Sequence, residues 1–432
     1  MKLTAEEQAM LAGGAGLATQ KAMQIIVALA EIYDAAALVP VASAQIAGVS
    51  YKNLGGAGLE FLEEWAAQGA RVRVPAFMNP AGMDLQRWRE MGIAPEFARQ
   101  QQRVIAALIT MGVESTCTCT PYLVGHAPRP GEHLAWSESS AVSYANSVLG
   151  ARSNREGGPS ALAAAITGRT AAYGLHLTEN RRATHLVEVH CGLRNEADYG
   201  ALGYLVGRQV GDGVPYFRFL QETRFLQEDG FLTRRENLMA LGAAMGASGA
   251  VALYHIEGVT PEAAAALAPL RAFGGPQSAV PVPSAPLPAI VIDTLAEAYA
   301  ALDSPLDEID FVSLGCPHST LADVERVAQL LEGKRVKATL WVTTSRGVQQ
   351  VAEQQGLVAR IEASGARVFA DTCLVVAPVE EMGFKAMATN SAKAAFYAPM
   401  HSGLQRRFGT LEQCIAAALT GRWTGRRESG PC

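Results

Sequence analysis

Thiols carry the sharpest chemistry in this sequence. Cys119 in TCTCTPY, Cys316 in LGCPH and Cys373 in ADTCLV each have small or polar neighbours that leave room around the sulfur. Thiolates supplied by separate loops can converge on one inorganic centre. Burial as ordinary core cysteines is the competing reading, since free cysteine is among the most buried residue types. No CxxC pair supports a zinc ribbon or a thioredoxin-type motif. Of Cys117 and Cys119, only one is expected to reach a shared site. Cys119, next to a Thr-Pro turn, is the one expected there. Cys191, Cys414 and Cys432 read as structural or incidental.

A second group lies within 133–166, where Ser137, Glu138, Ser139, Ser143, Asn146, Asn154 and Arg155 crowd ahead of the run GGPSALAAAI. Such donors and one guanidinium suit an anion or a polyol, and GGPS can open a helix whose N-terminus favours negative charge. A capped loop of turn residues has the same composition. Near the C-terminus, Lys393 sits beside Asn390 and Ser391 in an apolar stretch. An ammonium there either neutralises a bound carboxylate or phosphate or snorkels at a helix end. Ser345 and Arg346, at the end of an expected strand, could add an anion contact. The histidines show no HExxH or paired spacing, so His133, His176, His255 and His318 are read as groups behind a site, not a metal triad. GGAG at 55–58 lacks both GxGxxG and the Walker lysine, which leaves nucleotide-phosphate binding unsupported.

Strands alternating with helices must position these groups. Hydrophobic period predicts a strand over 36–44, a glycine-rich turn, the helix LEFLEEWAAQGA, a strand RVRVPAF running to Asn79 and Pro80, the helix EFARQQQRVIAALITMG, and a strand over 114–120. The rhythm returns with strand IDFVSLG ending at Cys316, helix LADVERVAQLLEG, strand ATLWVTT ending at Ser345, helix GVQQVAEQQGLVARIEASG and strand ARVFADT ending at Cys373. Both read as βαβαβ with parallel sheets. Their polar and sulfur-bearing residues fall past strand C-termini, where open α/β sheets bind ligands, so two facing edges would make one interdomain cleft. The expected division is a first βαβαβ domain over 1–120, a mixed α/β domain carrying substrate-site loops over 121–275, a Pro-rich linker over 276–290, and a second βαβαβ domain with the C-terminal region over 291–432.

The chain has 432 residues, 49% hydrophobic and 18% charged, which is ample for several packed cores and excludes a disordered chain. A net charge of −5, with no basic block, argues against nucleic acid as a partner. The charged start MKLTAEEQAM lacks the apolar core of a secretory signal, and no run reaches the roughly 18 apolar residues of a membrane span. A cytoplasmic protein with no membrane partner is the expectation, and an odd number of scattered cysteines, 7 in all, fits reduced thiols.

The blocks SAQIAGVSYKNLGGAGLEFL, NPAGMD, STCTCTPY, AWSESSAVSYANSVLGARSNREGGPSALAAAI, GLHLTENR, LGCPH and NSAKAAFY follow one another along nearly the whole chain. On these motifs the sequence resembles the large subunit of the aconitase X family, the hydro-lyase branch that includes phosphomevalonate dehydratase and cis-3-hydroxy-L-proline dehydratase. The resemblance implies an α/β, aconitase-like multidomain fold with βαβαβ parallel-sheet units around an interdomain cleft. It implies an iron–sulfur cluster, 4Fe–4S or 2Fe–2S, held by Cys119, Cys316 and Cys373, with one iron open as a Lewis acid for a departing hydroxyl. It also implies contacts to a small anionic substrate from Gly48, Val49, Ser50, Asn79, Pro80, Glu138, Ser139 and Lys393, with Ser139, Glu138 and Lys393 as the catalytic set. In related aconitases the serine base lies on a separate swivelling domain. No copy of it is recognisable here, so a small swivelling-domain subunit is the expected partner.

The stretch AGVSYKN at 47–53 is closer to the archaeal phosphomevalonate type, with Lys52 placed to help with a phosphate. The expected reaction is therefore elimination of water from a β-hydroxy carboxylate, (R)-5-phosphomevalonate. Dehydration of cis-3-hydroxy-L-proline is the alternative within the family, and a non-catalytic ligand-binding subunit is the alternative outside enzymes.

Overall fold

The computed structural model describes residues 1–220, 234–267 and 287–424. Three parallel sheets, each with its own helices, account for most of it. The first has strands Ala76–Met78, Ser43–Ile46 and Leu134–Trp136 in that spatial order. These strands are short and almost wholly buried, which is why they read as apolar runs without alternation. The alanine-rich helix Gly158–Thr167 packs on the central strand and on helix Leu17–Ile32. Its small side chains permit that approach: a Cβ on Gly158 would lie 2.6 Å from the Ala47 carbonyl.

The second sheet orders His255–Ile256, Pro215–Phe219, His185–Val189 and Ala289–Ile292, all parallel. Helices Glu196–Val210 and Arg235–Ser248 cross closely beside it, because Gly203 leaves no Cβ to strike the Leu241 carbonyl, which would be 2.5 Å away. The third sheet has five parallel strands in the order Arg367–Ala370, Thr339–Thr344, Phe311–Ser319, Ala386–Thr389 and Gln405–Phe408. Four of its strand-to-helix turns end in a hydroxyl that caps the next helix: Thr320, Ser345, Ser391 and Thr410. Such caps satisfy free helix N–H groups and fix where each turn points. A separate apolar cluster, with Met83, Trp88 and Met91 on one side and Phe311, Trp341 and Phe369 on the other, joins the first unit to the third.

The parallel sheets and α/β class agree with the sequence reading, but several elements differ. The run 36–44 is two strands, Leu38–Pro40 paired antiparallel with Arg169–Ala171, and Ser43–Ile46 in the first sheet. The glycine-rich stretch is no turn: helix Tyr51–Ala67 runs through it with a kink at Gly55, whose φ of 65° needs glycine. Of RVRVPAF only the end is strand, as Ala76–Met78. Residues 114–120 form no strand beyond an isolated bridge from Glu114 to Phe77, and the third strand of that sheet is Leu134–Trp136. The helix expected over 347–365 is broken in two by Gly356, in the left-handed region at φ 72°.

The first unit therefore extends past 120, through the helix Gly158–Thr167 and strand Arg169–Ala171. Most of the Pro-rich stretch lies outside the described residues. The chain returns as strand Ala289–Ile292, which pairs with the second sheet, so that sheet also claims residues across the expected boundary at 290. Among the described residues, no helix is long and apolar enough to cross a membrane.

Candidate functional site

Cys119, Cys316 and Cys373 line one cavity of about 240 Å³ where the first and third units meet. Each sits on a different constrained segment, Cys316 within strand Phe311–Ser319 and the other two on loops. Cys119 follows Cys117, a residue in left-handed conformation at φ 42°, and the segment is tied down by Thr118 N–H donating to Met78 O at 3.0 Å. Gly315 precedes Cys316 at φ 94°, where any Cβ would be 2.0 Å from the Thr343 carbonyl. Cys373 follows Asp371, also left-handed at φ 66°. Cys117 does face away, into the first core, although residues two apart on a regular strand would share a face: its left-handed backbone, at φ 42°, breaks the strand and lets the two side chains part. Cys191 and Cys414 are buried in other cores, and Cys432 lies outside the described residues.

The expected contact residues border the same cavity: Gly48, Val49 and Ser50 on one loop, Asn79 and Pro80 on the next, Glu138 and Ser139 at a helix start, and Lys393 from the third unit. Glu138 caps helix Ser139–Ser147, and its carboxylate accepts from Asn79 Nδ2 at 2.8 Å and from Lys393 Nζ. Burial opposes its charge, but the Lys393 ammonium and the Asn79 amide outweigh that and hold it down to about 2. Burial likewise opposes the Lys393 charge, while Glu138 and the sulfurs of Cys316 and Cys119 raise its pKa well above the usual range. Ser139 Oγ donates to Glu138 Oε1 at 3.3 Å. Asn79 Oδ1 is buried with no hydrogen-bond partner among the described residues. Among the described residues, nothing accepts from the backbone N–H groups of Gly48, Val49 and Ser50. The pocket thus offers one spare acceptor and a short run of spare donors.

Three thiols with no disulfide between them are a donor set that fits an iron–sulfur cluster. Among the described residues, no three His, Cys, Asp or Glu groups are arranged to hold a single metal ion. Burial pushes the thiols up, Cys373 to about 12, so in the free chain they are protonated, and it takes a bound cation to reverse this. The Cys119 sulfur already accepts a backbone N–H, from His318 at 3.2 Å.

Other expected groups are used elsewhere. Arg346 pairs with Asp84 and Asp371, and Ser345 Oγ accepts from Val348 N–H, so neither is left for an anion. Lys52 is bound by Glu380 at 2.6 Å and by the carbonyls of Ala377 and His401, which removes it as a phosphate ligand. Asn146 and Asn154 hold backbone turns, and Ser143 is fully buried on its helix, away from the cavity. Ser137 and Arg155 do line the cavity. His133 and His176 pair with each other and His255 with the Arg181 carbonyl, so only His318 stands behind the cysteines.

Sequence reasoning missed Asn53, Tyr397 and His401, which also line the cavity. The last two were legible: Lys393, Tyr397 and His401 recur every four residues on helix Ala392–Ser402, one face of it. Gln45 was missed too. Fully buried, its amide donates to Thr118 O at 3.1 Å and accepts from Glu138 N–H at 3.3 Å, joining two walls of the pocket.

Comparison with known proteins supplies the context. Three family models match in succession: aconitase X first domain over 1–179, second domain over 183–278 and third domain over 309–420. The chain is 50% identical over 400 residues to the phosphomevalonate dehydratase large subunit of Methanothermobacter thermautotrophicus, covering 92% of this chain and 94% of that one. It is 38% identical to cis-3-hydroxy-L-proline dehydratase of Pseudomonas aeruginosa, over 98% of this chain but 70% of that protein. The crystal structure of Thermococcus kodakaraensis aconitase X in its holo-form superimposes with a TM-score of 0.84 at 43% identity, covering 97% of this chain and 100% of that one.

Proposed function

This chain belongs to the aconitase X family, and from that premise we propose that it is the large subunit of an iron–sulfur hydro-lyase that eliminates water from (R)-5-phosphomevalonate. The observation that carries the reading is the meeting of Cys119, Cys316 and Cys373 with the Glu138–Lys393 pair on one cavity. The relative named for phosphomevalonate is 50% identical and the one named for hydroxyproline 38%, which favours the phosphorylated substrate.

A cluster held by the three sulfurs supplies, when bound, an open iron that acts as Lewis acid toward the substrate hydroxyl. The chain's own groups bind and orient. Lys393 fixes a positive charge in the cavity, and Glu138 keeps it there. Asn79 Oδ1 can accept from a substrate donor, and the N–H groups of Gly48, Val49 and Ser50, which have no acceptor among the described residues, are donors an anion could use. Arg155 offers a guanidinium to a second anionic end.

Glu138 is a weak proton acceptor in this setting, because its pKa near 2 and its bond to Lys393 both hold it ionised. The proton alpha to the carboxylate is therefore assigned to a group on a small subunit closing over the cavity. The relative's name, large subunit, implies such a partner. The Pseudomonas enzyme has sequence beyond the matched 70%, enough for a further domain in one chain.

The test is anaerobic reconstitution with iron and sulfide, with and without a co-expressed small subunit, and assay of both substrates. Dehydration of phosphomevalonate by the pair alone is expected. Turnover by the single chain would sink the partner assignment, and preference for hydroxyproline would sink the substrate. Ligand binding without turnover by any preparation would favour a non-catalytic subunit.

A further inference from the structure

One buried side chain touches all three sulfur-bearing segments. His318, 0% exposed, lies two positions after Cys316. Its Nε2 is 2.9 Å from the carbonyl of Thr372, the neighbour of Cys373, and its Nδ1 is 2.9 Å from Thr118 Oγ1, the neighbour of Cys119. Its backbone N–H donates to Cys119 Sγ at 3.2 Å. The directions follow from the partners: a carbonyl only accepts, so Nε2 carries the proton and Nδ1 accepts from the Thr118 hydroxyl. Thr118 Oγ1 in turn accepts from Thr120 N–H at 3.1 Å, which completes a chain with one sense throughout. The ion pairs of Arg346 also pin Asp371 to Asp84, but they reach neither Cys119 nor Cys316.

We propose that His318 is a positioning residue for the three-sulfur set, its two ring nitrogens holding the Cys119 and Cys373 loops at a fixed separation around Cys316. The proposal rests on the iron–sulfur reading of the cavity. A core histidine of purely structural use would support folding but leave cluster capture and retention unchanged. A positioning role makes both depend on the Thr118–His318–Thr372 chain.

The experiment reconstitutes the full chain anaerobically with ferrous iron and sulfide and measures iron per chain and the rate at which a ferrous chelator bleaches the visible absorbance. His318→Phe is expected to keep the wild-type circular dichroism and elution volume while losing iron about tenfold faster, the lower end for groups behind metal ligands. His318→Gln, which regains one ring-nitrogen bond, should fall between. Thr118→Val removes only the partner of Nδ1 and should act in the same direction more weakly. It decides the matter if His318→Phe does not fold. Wild-type loading and release in these variants, even with a lowered melting temperature, would overturn the proposal. A wild-type chain that takes up no more iron and sulfide than Cys316→Ser would instead overturn the iron–sulfur reading on which it stands.

Discussion

Lys393, from the third unit, seats its ammonium on the carboxylate of Glu138, from the first, with side-chain exposures of only 8% and 15%. Neither charge would survive this burial alone. Removing one partner of a buried pair leaves the other uncompensated and costs about 3–5 kcal/mol, whereas removing both can be nearly neutral. Glu138→Gln and Lys393→Met should each lower the urea midpoint strongly, and the double variant should recover most of it. Turnover should not return in the double variant, because the cavity has lost its fixed cation. Additive losses of stability would show that the two groups are not coupled.

Arg155 is the cavity's guanidinium, and among the described residues no carboxylate pairs with it. Its guanidinium donates to the Gly246 carbonyl at 3.1 Å. A charge-assisted bond to a phosphate is worth about 1.5–3 kcal/mol, and the exposure of Arg155 favours the low end. Arg155→Ala should raise KM for phosphomevalonate about tenfold with a smaller change in kcat, and Arg155→Lys should restore part of it. An unchanged KM would place the phosphate elsewhere.

Arg346 bridges Asp84, which is 0% exposed, and Asp371, so it joins the loop after Asn79 and Pro80 to the loop that carries Cys373. Asp84 Oδ2 also accepts from Ala370 N–H at 2.8 Å, and Asp371 O accepts from Ala81 N–H at 2.7 Å. Arg346→Met would leave two carboxylates facing each other out of water, at a cost of about 3–5 kcal/mol. A large drop in melting temperature is expected, partly reversed in Arg346→Met with Asp84→Asn. A drop of a degree or less would mean that water already screens the site.

The different fates of Arg346 and Lys393 show what the sequence could convey. Arg346 was expected at the end of a strand, and Lys393 in an apolar stretch or at a helix end; both lie in the first turn of a helix that follows a strand of the third sheet. Which one faces the cavity depended on Asp84 and Glu138, partners more than 250 positions away, and no local pattern encodes such pairings. Lys52 failed as a phosphate ligand for the same reason, since Glu380 lies on the other side of the molecule's sequence. Cys316 lies inside strand Phe311–Ser319 and Cys119 on a loop, while Cys373 was legible because it falls just past the end of a strand. The strand expected over 114–120 was not, because the left-handed turn at Cys117 breaks an otherwise strand-like Thr and Cys alternation. Gln45 was invisible as well: a buried amide inside an apolar strand gives no periodic signal, and its two bonds join loops distant in the chain.

His176 and His133 face each other through their Nδ1 atoms at 2.9 Å, so one nitrogen must donate and the other accept, and a second proton has no place between them. Burial, and then the charges of His133, Arg181 and Arg152, push His176 down to about 3, while His133 is lowered by burial and the same arginines. An unfolded imidazole takes up its proton near pH 6.5. Between about pH 6.5 and 3 the unfolded chain therefore binds protons that folded His176 refuses. Its contribution to stability is complete above that window and is lost progressively as pH falls through it, at up to about 1.4 kcal/mol per pH unit. Carboxylates elsewhere act on wild type and variant alike, so the difference between the two isolates this residue. His176→Asn should show a shallower loss of unfolding free energy between pH 6.5 and 4.5 when followed by urea denaturation. Parallel curves would mean that the pair opens to water before it has to charge.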